Sequence, residues 1–360
     1  MQPGIPKTIP ILRGQATPPL NTTIVSLSAP KHVACMSISE DRAVHTDDYA
    51  SIAIFTPPPQ GANLTVESKF RRHKSRSDRN PYHNHPVRLD RICHMHIESA
   101  AWEEMSRAEI VTWRGIMKKI ISVGGAKPIE LNVSVLGGRL YLEEYDPTPL
   151  KQRILSRAEY IGHRFEALCT GGTQTSDMGL HASWSAGVMR KLGDLNILIA
   201  GEVDGTTNPS NLAASEDYIE IKSKTEGSQA KLRDWYIQSM LVGIPKIFVG
   251  WHKDGRLHRT QTLMVEEMEK ATWDIPARLT WAYQVLSSLR DFCMQGGSGI
   301  DGHRVWRAQV GGPSYGVQVR ELGETEVRLL NRGEERVGIL PKWYVDGLNE
   351  LEISLRMRNL

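Results

Sequence analysis

The chain has 360 residues, of which 40% are hydrophobic and 24% charged, proportions that exclude wholesale disorder, a coiled coil and a collagen-like rod. Its 44 Lys and Arg against 41 Asp and Glu leave a formal charge of +3. That balance is too slight to announce a nucleic-acid partner, so any basic surface has to be local.

Residues 1–30 are rich in Pro, Thr and Ser and read as a flexible lead-in, with one domain over 31–360. Pro3, Pro6 and Pro10 interrupt a start that has no apolar core and does not read as a signal peptide. No apolar run approaches the ~20 residues that span a bilayer, so no membrane association is expected. Cys35, Cys93, Cys169 and Cys293 are scattered and are expected to be free, buried thiols. A break falls at Pro57-Pro58-Pro59, and residues 69–86 read as a basic, His-rich loop. Residues 103–121 read as a helix, and Leu131 to Glu143 as a hairpin turning at Gly137-Gly138. Apolar residues at Ile154, Ala158, Ile161, Phe165 and Leu168 predict a helix within 150–169.

The period then changes. Leu195 to Ala200 is a short apolar run ending at Gly201, the pattern of a strand buried on both faces. Tyr218 to Lys222 alternates as a strand does, Ser228 to Leu241 is helical, and Lys246 to Trp251 is a strand before a turn at Asp254-Gly255. A long helix is expected over 277–294 and short strands from Val305 to Leu340. The βα alternation is too irregular for a barrel or a doubly wound sheet. The expectation is one α+β domain around a central mixed sheet with flanking helices.

Three short segments carry chemistry. In Gly201-Glu202-Val203-Asp204 a strand's period of two puts Glu202 and Asp204 on one face and Val203 toward the core. In Glu220-Ile221-Lys222 it pairs Glu220 with Lys222. On the preceding helix Gly162 lies one turn before Glu166 and leaves room beside its carboxylate. Any one acidic triplet is usually an ordinary solvated strand. Together they predict four carboxylates and one lysine at the end of a buried sheet, where unpaired charge is costly. Divalent cations with oxygen ligands relieve that repulsion, and a lysine beside them suits metal-assisted phosphate chemistry. Asp204, Glu220 and Lys222 follow the order of the PD-(D/E)xK nuclease core. Gln238 shares a stripe of the next helix with Lys231 and Asp234, and can reach a phosphate or a water.

Several ordered motifs resemble one family, the decapping and exoribonuclease (DXO/Rai) enzymes, and its fungal members in particular. They are Val111-Thr112-Trp113-Arg114-Gly115, Gly162-His163-Arg164-Phe165-Glu166, Gly201-Glu202-Val203-Asp204, Glu220-Ile221-Lys222 and the stretch from Lys231 to Trp251. The resemblance runs from about residue 30 to about 345. It implies a PD-(D/E)xK nuclease-like catalytic domain with two Mg²⁺ or Mn²⁺ ions. Glu166, Asp204, Glu220 and the Ile221 carbonyl would be metal ligands, and Glu202 would bind through water or assist catalysis. Lys222 and Gln238 would contact the reactive phosphate, and Arg114 the RNA. The implied substrates are RNAs with a 5′-triphosphate, an incomplete cap or an NAD cap, some members also degrading RNA 5′ to 3′. A nuclear 5′–3′ exoribonuclease is the implied partner, and the nucleus, or else the cytoplasm, the implied location.

Two other readings stay open at this point: a non-catalytic RNA-binding partner that stabilises an exoribonuclease, and a DNA nuclease on the same core. The pairs His83/His85 and His94/His96 superficially suggest zinc, but Cys93 has no partner at zinc-finger spacing, so surface or core-edge histidines are expected.

Overall fold

The computed structural model describes residues 7–9, 24–78, 88–122, 128–145, 156–172, 182–228, 231–268, 273–295, 301–311 and 316–358. His83 and His85 lie outside them, as does most of the N-terminal lead-in. From the N-terminus, β1 (Lys7–Ile9), β2 (Lys31–Ile38) and β3 (Val44–Thr46) precede α1 (Glu67–Asp78), α2 (Asp90–Glu98) and α3 (Trp102–Met105). Strand β4 (Ile110–Trp113) runs straight into α4 (Arg114–Ser122), and the hairpin β5 (Ile129–Leu136) and β6 (Arg139–Glu144) leads to α5 (Arg157–Cys169). A second hairpin, β7 (Ser183–Leu192) and β8 (Leu195–Glu202), continues into β9 (Gly205–Thr206) and β10 (Tyr218–Thr225). Helix α6 (Leu232–Val242), strands β11 (Lys246–Lys253) and β12 (Arg256–Met264) and helix α7 (Ile275–Gln295) follow. The C-terminal part is β13 (Asp301–Val310), β14 (Val317–Glu321), α8 (Glu324–Asn331), β15 (Arg336–Val337), β16 (Leu340–Pro341) and α9 (Lys342–Arg358).

The large sheet runs β1-β14-β13-β5-β6-β4-β8-β7-β2-β3. At its centre β4 is parallel to both β6 and β8, while the other neighbours are antiparallel, so the expected mixed sheet is present. Both faces of its centre are covered. Ile197 and Ile199 face a core shared with α4, α6 and α7, whereas Leu198 and Ala200 face a second core with α2 and α9. This burial on both sides is why β8 reads as an unbroken apolar run. A second sheet, β12-β11-β10-β9, also has two covered faces. Ile219 and Ile221 pack with Phe165 and Leu168 of α5, and Ile247 and Val249 join the main core. Chain passage from β8 to β9, through Val203 and Asp204, joins the two sheets.

Local sequence explains several joints. Gly137 and Gly138 both take positive φ, 55° and 76°, as the two-residue turn between β5 and β6 requires. A capping box starts α5: the Ser156 hydroxyl accepts from the Glu159 amide at 3.1 Å, and the Glu159 carboxylate accepts from the Ser156 amide at 2.9 Å. All four cysteines are free and buried, as expected. No helix among the described residues is long and apolar enough to cross a membrane.

Four expectations need correction. The lead-in is tied down in places: β1 pairs with β14, and the Ser28 amide donates to the Lys191 carbonyl at 2.8 Å. The first part of the basic segment is a helix, Glu67–Asp78, rather than a loop, with Phe70 packed edge-on against Tyr160 of α5 at 5.3 Å between centroids; residues 79–86 lie outside the described residues. The helix expected over 103–121 is interrupted by β4, whose Ile-Val-Thr-Trp sequence favours a strand and fills the centre of the sheet. The segment after Val305 contains the helix α8 as well as strands, and β13 begins earlier, at Asp301.

Candidate active site

The junction between the two sheets gathers the acidic segments. Strand β10 places Glu220 and Lys222 on the same face, as the alternation predicts, and the Lys222 ammonium donates to a Glu220 oxygen. Glu220 is fully buried. It also accepts from the Gln238 amide at 2.6 Å and from an Arg114 Nη at 2.9 Å. Gln238 comes from α6 and Arg114 is the first residue of α4, so three elements, β10, α6 and α4, fix one carboxylate. Burial alone would raise the Glu220 carboxyl, but Arg114 and Lys222 hold it below its usual range. Burial alone would lower Lys222, but Glu220 and Asp204 hold it above the usual lysine range.

Asp204 sits beside this group. One of its oxygens accepts the Ile221 amide at 2.7 Å and lies 3.6 Å from the Lys222 ammonium. Burial and the Glu220 charge push its carboxyl up to about 6, against the pull of Lys222. Because N–H and C=O of one strand residue leave the same edge, the Ile221 carbonyl faces the Asp204 side. Glu166 projects from α5, half-buried, and its carboxylate accepts no hydrogen bond among the described residues. Burial, and then the Asp204 charge, push it up to about 8.

Not every residue sits as the sequence suggests. Strand β8 ends at Glu202, so Glu202 and Asp204 are not on one continuous strand face: Glu202 is exposed, while the Asp204 side chain is 15% exposed. Val203 between them is buried, as expected. Arg114, remote in sequence from the acidic strands, lies against their cluster, because β4 delivers it to the end of a parallel strand. A Cβ at Gly162 would meet only the Ser223 hydroxyl, at an ordinary 3.9 Å, so no protein atom crowds that position. The close approach belongs to Gly250, where a Cβ would sit 2.3 Å from the Phe165 ring that seats α5. His94 pairs with Glu98 at 2.7 Å and stacks on Trp343, while His96 is buried between Tyr344 and Ser106, so this pair is surface and core.

Beside the cluster opens a cavity of about 300 Å³, walled by Trp113, Arg114, Lys118, Lys119, Glu202 and Gln238 among others. Lys118 was not singled out by the sequence. Its offset of four from Arg114 would have placed both on one helix face had the start of α4 been known. Its ammonium reaches the Gln238 side-chain oxygen at 3.4 Å.

Among the described residues no three His, Cys, Asp or Glu side chains converge on a common point. Lys222 stands between Glu220 and Asp204 and occupies their oxygens. The chemistry nonetheless fits a hard divalent cation: the donors are all oxygens, three carboxylates face Lys222 and Arg114, and two of the carboxyls are driven toward their protonated forms by burial and by the neighbouring carboxylate charge.

A mixed sheet that brings an aspartate and a Glu-Ile-Lys strand to one buried point, beside a helix-borne glutamate, defines the PD-(D/E)xK nuclease class. The family model described as RAI1 like PD-(D/E)XK nuclease matches residues 28–345, and the chain belongs to that family. It is 28% identical over 327 residues to the decapping nuclease RAI1 of Cryptococcus neoformans, a match covering 79% of this chain and 80% of that protein. It is 25% identical over 279 residues to the decapping and exoribonuclease protein of Homo sapiens, covering 66% and 67%. The crystal structure of Candida albicans Rai1 in complex with pU5-Mn²⁺ has the same fold, with a TM-score of 0.74 at 16% identity, covering 96% of this chain and 100% of that one.

Proposed function

We propose that this chain is a divalent-metal-dependent hydrolase of RNA 5′ ends. The observation that carries the reading is the charge deficit at Glu166, Asp204 and Glu220, built beside a cavity lined by cationic side chains. Relatives named decapping nuclease and decapping and exoribonuclease protein support it, as does the Candida albicans structure with pU5 and Mn²⁺. Glu166, Asp204, Glu220 and the Ile221 carbonyl would hold Mg²⁺ or Mn²⁺, with Glu202 reaching it through water. When bound, the metal supplies an activated water and neutralises phosphate oxygens.

The chain's own residues do the rest. Arg114 holds one oxygen of Glu220, and Gln238 and Lys222 hold the other. The Lys222 ammonium, already inside the cluster, is placed to steady the reacting phosphate. Substrates of this chemistry are RNAs with a 5′-triphosphate, an incomplete cap or an NAD cap. The resemblance also supports a nuclear location and an exoribonuclease partner, which imaging and co-purification test.

Product analysis on triphosphate, capped, NAD-capped and monophosphate RNAs, with matching DNA alongside, tests the reading. The expected result is Mg²⁺- or Mn²⁺-dependent release of pyrophosphate or the cap from RNA. RNA binding with no product in any metal would leave the non-catalytic partner, and preferential cleavage of DNA the third reading.

A further inference from the structure

We propose that the cavity between Arg114, Lys118 and Gln238 is a diphosphate-binding subsite, in which Lys118 grips the pyrophosphate that departs from a 5′-triphosphate end. The proposal rests on the hydrolase reading above. Three observations support it.

The first is an unbalanced charge. Of the cations on the cavity wall, Arg114 is ion-paired with Glu220 and Lys119 with Glu144, while Arg91 of α2 has no ion pair among the described residues. Lys118 has no carboxylate within ion-pairing distance among the described residues and donates only to the uncharged Gln238 oxygen, at a long 3.4 Å. It is half-buried, and burial together with the Arg114 charge disfavours its ammonium form. A cation held in this way gains most from an anion that enters the cavity. Glu202 at the rim is exposed, so water and salt screen its repulsion.

The second is position. Arg114 and Lys118 are one turn apart on the same face of α4. Gln238 touches both halves of the site, its oxygen toward Lys118 and its amide nitrogen on Glu220. A phosphate at the carboxylate cluster therefore has the cavity as its neighbour. The third is size: about 300 Å³ has room for a compact polyanion.

The chemistry balances without a further reactant. A water oxygen bonds to the α-phosphorus and the bond to the α–β bridging oxygen breaks. Its electron pair leaves with pyrophosphate, and the proton released by the water passes to solvent. Charge grows on the departing diphosphate, where Lys118 waits.

The test compares wild type, Lys118→Gln and Lys118→Arg in excess Mg²⁺. Calorimetry measures binding of inorganic pyrophosphate and of orthophosphate, and single-turnover rates are taken on triphosphate RNA beside the affinity for monophosphate RNA of the same sequence. Losing one charge-assisted hydrogen bond should weaken pyrophosphate by about tenfold or more in Lys118→Gln, with most of the affinity restored in Lys118→Arg. Triphosphate turnover at subsaturating RNA should fall in parallel, while orthophosphate and monophosphate RNA change less than about twofold. An equal loss on both RNAs would make Lys118 a contact to the strand and overturn the subsite, as would pyrophosphate binding that ignores the substitution. If wild type hydrolyses no 5′ end yet binds pyrophosphate through Lys118, the subsite stands and the hydrolase reading falls.

Discussion

Two buried charge clusters in this molecule differ in one respect that separates scaffold from site. In the first, Arg88 donates to both oxygens of Glu143, at 3.0 and 3.1 Å, and the Glu143 carboxylate also accepts from Asn132 at 3.0 Å. Asn331 and Glu334 take up more of the guanidinium. Arg88 and Glu143 are 9% and 3% exposed, and one charge answers the other. In the second, Glu166, Asp204 and Glu220 outnumber Lys222 and Arg114, and Glu166 has no hydrogen-bonded partner among the described residues. A balanced buried pair joins strands. An unbalanced one is held against its own repulsion by the surrounding fold, and a further cation would relieve it.

The largest effect should come from neutralising the second cluster. Asp204→Asn and Glu220→Gln are each expected to lower turnover by at least about 10²–10³-fold while the protein remains folded. Their effects on the metal-free protein should differ in sign. Asp204 is strained when ionised, so Asp204→Asn should raise the melting temperature. Glu220 is held by Arg114, Lys222 and Gln238, so Glu220→Gln should lower it. Near wild-type turnover in either variant with Mg²⁺ present would falsify the site.

Breaking the balanced cluster should do the reverse. Glu143→Ala leaves Arg88 buried without its carboxylate, a change that costs about 3–5 kcal/mol of stability. Denaturant unfolding should show that loss, while the turnover of the fraction still folded stays unchanged. Should Glu143→Ala instead abolish turnover in folded protein, the division between scaffold and site would be wrong.

Proton linkage offers a sharper contrast. Glu166 is shifted from 4.5 to about 8. Between these values the folded state keeps a proton that the unfolded chain has released, so this group makes stability fall as pH rises through that window, with none of the penalty below it. Melting of chelator-treated protein from pH 5 to 8 should therefore fall more steeply in wild type than in Glu166→Gln. Saturating Mg²⁺ should shrink the difference. Parallel melting curves for the two proteins would remove Glu166 from the strained set.

Short-range pattern carried part of this site, and tertiary contact carried the rest. Tyr218 to Lys222 is legible because a period of two needs no partner to be seen, and it puts Glu220 beside Lys222. The contact from Arg114 to Glu220 spans 106 positions and depends on β4. There the run Ile110 to Ile121 satisfies strand and helix patterns in succession, and only its place at the sheet centre separates them. Likewise α1 looks like a loop from its charge and histidines, because the contacts that anchor it, such as Phe70 on Tyr160, come from about 90 positions away in sequence. Strand order in the large sheet was not legible at all, since β13 lies between β5 and β14 through pairings that no local period encodes.

The smallest expected effects come from two glycines beside the cluster, and they should have opposite signs. At Gly201 a Cβ would lie 2.9 Å from both Cβ and Cδ of Arg114 and from Cγ1 of Val242. Gly201→Ala therefore overpacks the end of β8 and costs about 1–3 kcal/mol. The Arg114 side chain is the part free to yield, so its bond to Glu220 weakens and turnover drops. At Gly162 the added methyl meets only an ordinary contact inside α5, and Gly162→Ala should stabilise the protein by about 0.5–1 kcal/mol through the helix preference for alanine. A double-mutant cycle locates the first effect. In an Arg114→Ala background the Cδ contact is gone and the Glu220 bond is already lost, so Gly201→Ala should cost clearly less than in wild type. Strict additivity would mean that the strain falls on Val242 instead, and that Gly201 serves the packing of α6 rather than the placement of Arg114.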